Sequence, residues 1–337
     1  MKTAVVILNY NTKDYLRKFL PGLIASCEGR DAQVIVADNA SGDGSVQMME
    51  KEFPEIPLIV LEKNFGFTGG YNRALKALEA DYFVLLNSDI EVPEGWLDPL
   101  VEWMDHHPDC GACGPKLISY SRRDFFEYAG AAGGLLDRYG YPFCQGRILQ
   151  RIEKDQGQYD SPADVLWVSG ACLLVRSRVW KDLGGLDERF FAHMEEIDLC
   201  WRMQLHGWKV TMVPSSRVYH IGGGTLPNES PFKLRLNFRN NLLLLENNLP
   251  ATFAAQGLPV EKARKKAGKR IFVRMCLDGG SALVYLVTGR WSLYRAVIHA
   301  HKEYRQLRRP GTIPQEPHVP EGLVDKAVVL KALLGKK

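Results

Sequence analysis

The sequence predicts an α/β fold with a mostly parallel central sheet, flanking helices and a C-terminal helical extension. Three observations predict it. Short apolar strands alternate with amphipathic helices from residue 3 to residue 89. Four consecutive strands there end on polar residues or glycine, and open α/β sheets bind ligands at the carboxyl ends of their strands. After Pro250 the chain changes to a basic helical segment.

The central strand is predicted at residues 82–86. This run is too short for a typical helix and too uniformly apolar for a half-exposed strand, which indicates a strand covered on both faces. It ends on Asn87, Ser88 and Asp89, so it brings a carboxylate to the edge where a metal ion or phosphate would bind. A plain strand-ending turn is the alternative.

Three strand–helix units precede the central strand. We expect strands at 3–8, 34–37 and 58–61 and helices at 14–25, 45–53 and 71–78. The turn after the first strand contains no glycine, so a dinucleotide-binding GxGxxG is missing, and no GxxxxGK[ST] occurs. A divalent cation on Asp89 would therefore hold any phosphates. Asp38 could bind a base or ribose, or form only an Asx turn.

Composition is that of an ordinary folded protein, with 337 residues, 46% hydrophobic and 24% charged residues and a net charge of +4. No run reaches the roughly 18 apolar residues of a membrane span, and the apolar N-terminal run is too short for a secretory signal. Seven scattered cysteines favour reduced thiols and a cytoplasmic location. Cys110 and Cys113 form a CxxC, but a zinc site would need a second pair.

Three carboxylates open a predicted helix near residue 195. Glu195, Asp198 and Arg202 share one face, whereas Glu196 borders an apolar face. A carboxylate beside apolar surface has a raised proton affinity, which suits a general base, although simple stabilisation of the helix N-terminus is the alternative. His220, before three glycines, could join Asp89 on a metal ion or be merely structural.

The remaining segments leave alternatives open. Residues 128–142 form either a mobile loop over a ligand or an irregular connection, and strands are expected at 165–168 and 171–175 around Gly170. Basic and amide side chains between 232 and 241 could contact phosphates or form a solvated helix face. Seven Lys or Arg within 262–274, followed by apolar and aromatic residues, suit a helix on an anionic membrane or one packed on this domain or a second subunit. Residues after 309 are predicted to form a tail with a short final helix.

Together these motifs resemble family 2 glycosyltransferases of the GT-A fold, in particular bacterial rhamnosyltransferase-like enzymes. The resemblance covers roughly residues 3–250. It rests on Asn9-Tyr-Asn, Asp38-Asn-Ala-Ser-Gly-Asp-Gly-Ser, Asn64-Phe-Gly-Phe-Thr-Gly-Gly-Tyr-Asn-Arg, Leu86-Asn-Ser-Asp, residues 191–202 and His220-Ile-Gly-Gly-Gly-Thr. It implies a catalytic domain at 1–250, an extension at 251–337, a nucleotide-diphosphate sugar donor, a divalent metal (Mn²⁺ or Mg²⁺) and inversion at the anomeric carbon.

The resemblance also implies roles for individual residues. Asp38 would contact the nucleotide base, Asp89 would be the last acid of the DxD motif and bind metal with His220, and Glu196 would be the base, supported by Glu195 and Asp198. Further implied donor contacts are Asn9, Asn11, Asn64, Gly69, Gly70, Asn72, Arg73, Asn87 and Ser88. Phosphate or acceptor contacts would come from Trp167, Gly170, Arg235, Arg239 and Asn240.

Two residues depart from the family pattern. Asn87 replaces the first DxD acid, and Glu196 stands where aspartate is commoner. We expect a UDP- or dTDP-linked donor and a glycan or polyprenyl-linked acceptor for cell-surface polysaccharide. We also expect peripheral contact with the inner face of the plasma membrane or a homodimer, and no nucleic acid. A nucleotidyltransferase, or a nucleotide-sugar-binding protein without catalysis, remains the alternative.

Overall fold

The computed structural model describes residues 1–222 and 230–335. The first half follows the predicted alternation: β1 (Thr3–Asn9), α1 (Lys13–Cys27), β2 (Ala32–Asp38), α2 (Ser45–Glu52), β3 (Leu58–Val60), α3 (Gly66–Lys76) and β4 (Tyr82–Leu86). These four strands are parallel, in the order β3-β2-β1-β4. The prediction for α3 was wrong by five residues, because the helix already begins at Gly66 and includes Gly69 and Gly70.

The sheet then continues with strands of both directions. The next elements are β5 (Ile90–Glu91), α4 (Asp98–His106), β6 (Cys110–Ser119), β7 (Gly134–Asp137), β8 (Pro142–Cys144), β9 (Arg147–Ile148), β10 (Arg151–Ile152), β11 (Ala163–Asp164), β12 (Cys172–Arg176), α5 (Ser177–Asp182), α6 (Glu195–Leu205) and β13 (Lys209–His220). Strand β12 lies antiparallel between β4 and β6, and β13 runs parallel to β6. The central sheet is therefore mostly parallel, as predicted, and β12 is an antiparallel strand within it.

Both faces of the central sheet are covered. In β1, Ala4 and Val6 belong to one buried cluster, and Val5 and Ile7 belong to the cluster on the opposite face. A strand covered on both sides can be apolar at every position, which explains the absence of alternation in these strands.

The C-terminal part is helical. It contains α7 (Pro231–Ala255), α8 (Val260–Val287), α9 (Trp291–Leu307), β14 (Leu323–Val324) and α10 (Val328–Leu333). Helix α7 packs on α6, α8 and α9, and it runs through Pro250, so the predicted domain boundary falls inside a helix. None of the helices in the described ranges combines the length and apolar character needed to cross a bilayer.

A second, smaller sheet contains the glycine-rich segment. Its order among the described residues is β10-β9-β8-β7-β14, so the chain after residue 309 is anchored by a strand rather than being a plain tail. The segment is not wholly irregular, because residues 134–137 form β7 and pair with β8, and Gly134 packs directly against the buried indole of Trp167. Residues 165–168 are buried but form no strand beyond one bridge between Trp167 and Gly134.

Candidate functional site

A polar network joins the carboxyl ends of β1, β2 and β4. Asn9 donates from Nδ2 to Asp38 Oδ2 at 2.8 Å, and the Ser41 amide donates to Asp38 Oδ1 at 2.8 Å. The Thr12 hydroxyl donates to Asn9 Oδ1 at 2.6 Å and lies 2.7 Å from the Ser88 hydroxyl. The β4 end therefore shares one hydrogen-bonded edge with the other two strand ends.

The turn after β2 is held by amides. Asn11 Oδ1 accepts from the Gly42 amide at 2.7 Å. Asn39 donates to Asn64 Oδ1 at 3.1 Å and accepts from the Phe65 amide at 3.0 Å, which ties this turn to the start of α3. Five predicted donor contacts thus lie along one edge: Asn9, Asn11, Asp38, Asn64 and Ser88. Asp38 is only 1% exposed, so a nucleotide base could reach it only at the inner end of this group of side chains.

The other predicted donor residues of α3 have structural contacts. A Cβ on Gly70 would lie 2.7 Å from Leu8 Cδ2, so this glycine lets α3 pack closely on β1. Asn72 accepts from the Leu186 amide at 3.0 Å and donates to the Leu186 carbonyl at 2.8 Å. Arg73 pairs with Glu188 at 2.9 Å. Asn72 and Arg73 therefore hold the segment before α6, so the Asn72 amide is already engaged, whereas nucleotide contact by Gly70 stays a prediction.

Asp89 and His220 meet in the structure, as the sequence predicted. His220 Nε2 lies 3.1 Å from Asp89 Oδ1. Burial disfavours a charged imidazole, but the hydrogen bond to Asp89 and the nearby Glu127 carboxylate outweigh it and raise the pKa of His220 to about 10. Burial works against the Asp89 carboxylate too, and His220 nevertheless lowers the pKa of Asp89. The glycines after Gly222 lie outside the described residues.

Glu127 is a member of this cluster that the sequence analysis missed. Its Oε2 lies 3.3 Å from His220 Nδ1, but the groups are not aligned for a hydrogen bond, so we describe this as an ionic contact. Glu127 Oε2 also accepts from the Ala129 amide at 2.5 Å. Glu127 lies beyond β6 in the segment leading to the small sheet, and no recognisable spacing linked it to His220. Its only sequence feature was a carboxylate after Phe125 and Phe126.

The donor set fits a divalent cation in part. Asp89 supplies a carboxylate oxygen and His220 an imidazole nitrogen, both ordinary ligands of Mn²⁺. Within the described ranges, no three His, Cys, Asp or Glu side chains are arranged to hold a metal alone, so the remaining ligands would be oxygens of a bound molecule or water. The ion would compete with the proton on Nε2, because a ligating imidazole is neutral. Asn87 adds no carboxylate.

Glu195 and Glu196 begin α6 after a backbone segment with unusual torsion angles. Phe191, His193 and Met194 have φ values of 63°, 72° and 75°, a region that side chains with a Cβ seldom adopt. The Nδ2 group of Asn240 donates to the carbonyls of Phe190, Ala192 and His193 at 2.7–2.9 Å. We call residues 190–194 the α6 loop. Asn240 on α7 therefore fixes its shape.

The two glutamates carry perturbed carboxyl groups. Burial raises the pKa of Glu196 to about 7, even though backbone amides at the helix start favour the charged form. Burial and the neighbouring Glu196 raise the pKa of Glu195 further. The Oε2 atoms of both side chains are buried without a hydrogen-bond partner in the described part of the chain. The raised proton affinity predicted for Glu196 is thus present.

Gly170 connects Glu196 with the strand edge. The Asn87 amide donates to the Ala171 carbonyl at 2.9 Å, next to Gly170. A Cβ on Gly170 would lie 3.4 Å from Glu196 Cβ and 3.4 Å from the Phe67 ring. Gly170 therefore lies within van der Waals range of Glu196 and Phe67, beside the residue that accepts from the Asn87 amide at the end of β4. Residues far apart in sequence therefore line one region.

Several predicted contacts lie elsewhere and are corrected here. Trp167 is buried and donates to the Leu135 carbonyl, so it does not face the cleft. Asp198 is fully buried and accepts from Arg202, Asn247 and Asn248, so it braces α6 on α7 and is not available to an acceptor. Arg235 and Arg239 both pair with Glu303 of α9, at 3.1 and 3.2 Å, so an ion pair already engages each guanidinium, although Arg235 Nε has no hydrogen-bond partner among the described residues. The Cys110 and Cys113 thiols are buried, and burial raises the pKa of both, which disfavours the zinc interpretation.

Comparisons with known proteins agree with this arrangement. The family model described as Glycosyl transferase family 2 matches residues 4–179, more than half of the chain. The N-acetylglucosaminyl-diphospho-decaprenol L-rhamnosyltransferase of Mycobacterium tuberculosis is 30% identical over 234 residues, covering 64% of this chain and 75% of that protein. Rhamnosyltransferase WbbL of Escherichia coli is 24% identical over 225 residues, covering 64% of this chain and 82% of WbbL.

Solved structures show the same architecture. GalNAc-T7, crystallised with UDP, GalNAc and Mn²⁺, has a TM-score of 0.57 at 17% identity, covering 83% of this chain and 57% of that one. The mannosyltransferase PcManGT of Pyrobaculum calidifontis, in complex with GDP-Man and Mn²⁺, has a TM-score of 0.53 at 14% identity, covering 91% and 88%. The fold is GT-A. On its sequence match, its fold and the motifs gathered at this edge, the chain belongs to glycosyl transferase family 2 and is a glycosyltransferase.

Proposed function

We propose that this enzyme transfers a sugar from a UDP- or dTDP-linked donor to a hydroxyl group of a glycan or polyprenyl-linked acceptor, with inversion at the anomeric carbon. The observation that carries the proposal is Glu196. Its buried Oε2 has no partner among the described residues, burial raises its pKa to about 7, and its side chain lies beside Gly170, next to the end of β4. A carboxyl group of this pKa is matched to proton abstraction near neutral pH.

The donor would lie along the strand edge. The base would approach Asp38 and the amides around it, and the diphosphate would point towards Asp89 and His220. A divalent cation held by Asp89 and His220, Mn²⁺ or Mg²⁺, would supply neutralisation of charge on the leaving diphosphate. Direct phosphate contacts from Arg235 and Arg239 are not part of this proposal, because Glu303 binds both.

The chemical step is a single displacement. A Glu196 carboxylate oxygen takes the proton of the acceptor hydroxyl while the oxygen of that hydroxyl forms a bond to the anomeric carbon. The bond from the anomeric carbon to the diphosphate oxygen breaks on the opposite face, and the electron pair leaves with the nucleoside diphosphate. Burial and the neighbouring Glu196 raise the pKa of Glu195, which disfavours a second negative charge beside the base.

The acceptor proposal draws on the relatives. The Mycobacterium tuberculosis relative is named for a diphospho-decaprenol acceptor and for transfer of L-rhamnose. We infer an acceptor of the same chemical class here, a sugar on a polyprenyl diphosphate, used for cell-surface polysaccharide at the inner face of the plasma membrane. Rhamnose from a dTDP-linked donor is the first candidate sugar.

The test measures transfer with a panel of UDP- and dTDP-sugars, with Mn²⁺, with Mg²⁺ or with chelator, using wild type, Glu196→Gln and the exposed control Glu94→Gln. Binding of each donor is measured in parallel by calorimetry. We expect one donor to be turned over by wild type and Glu94→Gln, and Glu196→Gln to bind it normally but turn over about 10²–10⁴-fold more slowly. Unchanged turnover in Glu196→Gln would remove it from the mechanism, and donor binding without turnover in wild type would indicate a binding protein.

A further inference from the structure

The outer face of the C-terminal helices α8 and α9 carries unpartnered apolar side chains. We call it the α8–α9 surface, and its apolar members are Phe272, Val273, Leu283, Val284, Val287, Trp291 and Ile298. Val287 is 74% exposed and Phe272 is 67% exposed. These seven make up almost half of the fifteen large hydrophobic side chains exposed in residues 1–222 and 230–335. An exposed apolar patch of this kind marks a surface of interaction.

This face is not needed to hold α8 in place. The helix docks on α7 and α9 through its opposite face, where Ala263, Ala267, Ile271 and Ala282 are buried. The stripe from Lys262 through Lys269, Phe272 and Leu283 to Val287 follows the helical repeat on the outside. The exposed apolar residues are therefore surplus to the packing of the fold.

The charge around these apolar residues is predominantly positive. Residues 261–302 contain ten Lys or Arg and two carboxyl residues, Glu261 and Asp278. Asp278 is fully buried, where it pairs with Arg274 at 2.8 Å and contacts His301 at 3.3 Å. Glu261 is exposed and pairs with Lys265 at 3.1 Å, so the exposed part of this surface presents mainly cations beside apolar side chains, with one carboxylate at the start of α8.

The charge pattern selects the partner. A second copy of the chain meeting this surface across a two-fold axis would place cations against cations, which disfavours a symmetric dimer here. An anionic lipid surface complements both features, because lysines attract the headgroups and apolar side chains enter the acyl boundary. Trp291, at the turn between α8 and α9, has the amphipathic character favoured at membrane interfaces.

We propose that the α8–α9 surface docks the enzyme on the anionic face of a lipid bilayer. The proposal extends the lipid-linked acceptor proposed above, since docking would bring the cleft to a membrane-bound substrate. Docking itself requires neither acceptor nor donor. It can therefore be tested separately from sugar transfer.

The experiment is co-sedimentation of the full chain with vesicles of equal parts phosphatidylglycerol and phosphatidylcholine, and with vesicles of phosphatidylcholine alone. The test variant is Leu283→Ser/Val287→Ser/Trp291→Ser. The matched control is Val60→Ser/Val319→Ser, two apolar residues that are 56% exposed away from this surface. A second variant, Lys262→Glu/Lys265→Glu/Lys269→Glu, reverses the charge of three lysines on this surface.

We expect wild type and the control to bind the anionic vesicles and to bind phosphatidylcholine weakly. Each triple variant should bind the anionic vesicles at least about tenfold more weakly. The serine variant loses apolar side chains that each contribute about tenfold when buried, and the glutamate variant loses the attraction of its lysines to the headgroups. Donor binding by both should stay at the wild-type level. Failure of wild type to bind anionic vesicles, or wild-type binding by both triple variants, would overturn the proposal. A wild-type dimer that the serine variant makes monomeric, without vesicle binding, would instead identify a self-interface.

Discussion

Glu196 combines a buried oxygen with a pKa near the working pH of most enzymes. Because burial raises that pKa to about 7, the side chain is partly ionised at neutral pH. A general base must be deprotonated, so the turnover number at saturating substrates should fall as pH drops below about 7. Initial rates between about pH 5 and pH 9 would show this acid limb. In Glu196→Gln the residual rate should lose it, and a limb of the same midpoint in that variant would assign the titration to another group.

The raised pKa of Glu196 also predicts how the stability of the folded protein changes with pH. The folded protein holds a proton on Glu196 that the unfolded chain, with an ordinary pKa of 4.5, has lost. Between these two values stability therefore decreases as pH rises. Glu196→Gln removes that loss, so its melting temperature should exceed that of wild type at about pH 8 and match it near pH 4. A variant less stable than wild type at about pH 8 would contradict the raised pKa.

Glu127 contacts the ring nitrogen of His220 opposite Asp89. Carboxylates in this position orient a ligating imidazole, and their loss commonly weakens metal binding about 10–100-fold. We therefore expect Glu127→Gln to bind Mn²⁺ more weakly by this factor in calorimetric titration without donor. The exposed control Glu94→Gln should bind as wild type. Equal Mn²⁺ affinity in Glu127→Gln would leave Glu127 without a role at the metal.

At the scale of single residues, the sequence predicted the contacts of those residues that belong to recognisable motifs. Asp89 and His220 were predicted to be partners because each lies at a strand end within a motif that resembles the family's. In the structure His220 Nε2 lies 3.1 Å from Asp89 Oδ1. Glu127 and Asn240 acquire their contacts only through tertiary packing. Asp198 was misassigned because helical spacing gives the face of a side chain but not the Asn247 and Asn248 amides that meet it from α7.

At the scale of elements, α7 acts as a clamp on the α6 loop. The Asn240 amide donates to three carbonyls of a loop in which Phe191, His193 and Met194 have positive φ. Asn240→Ala should lower the free energy of unfolding by about 1–3 kcal/mol and reduce the turnover number more than donor affinity, because Glu196 lies in the first turn of the helix that follows the loop. Asn237→Ala, a half-buried amide on the same helix, is the control. Full turnover with lowered stability would show that Asn240 supports the fold but not the base.

Local patterns predicted the first strands and helices to within a few residues, because their apolar runs and turns are self-contained. They failed where distant packing decides. The start of α3 was placed at residue 71, yet Gly66, Gly69 and Gly70 are helical because α3 must approach β1 and the α6 loop closely. The glycine-rich segment was predicted to be either a mobile loop or an irregular connection, yet part of it forms β7, where Gly134 lets Trp167 pack against the sheet.

At the scale of the molecule, pairings distant in sequence set the architecture. Strand β12 separates β4 from β6 in the sheet, and β14 joins β7 from nearly two hundred residues away. Neither pairing has a local signature. The C-terminal helices are also coupled to the cleft, since Glu303 of α9 holds Arg235 and Arg239 one turn apart on α7. The proposed extension thus braces the helix that shapes the site.

Sugar transfer as proposed requires Glu196 to act as the base in the same cleft that holds the donor. The most direct test is chemical rescue, in which sugar transfer by Glu196→Ala is measured with increasing formate at saturating donor and acceptor. We predict a slow variant whose rate rises with formate, because the small carboxylate occupies the vacated space and accepts the proton, while wild type and Glu94→Ala show no increase. Wild-type turnover by Glu196→Ala without formate would contradict the account.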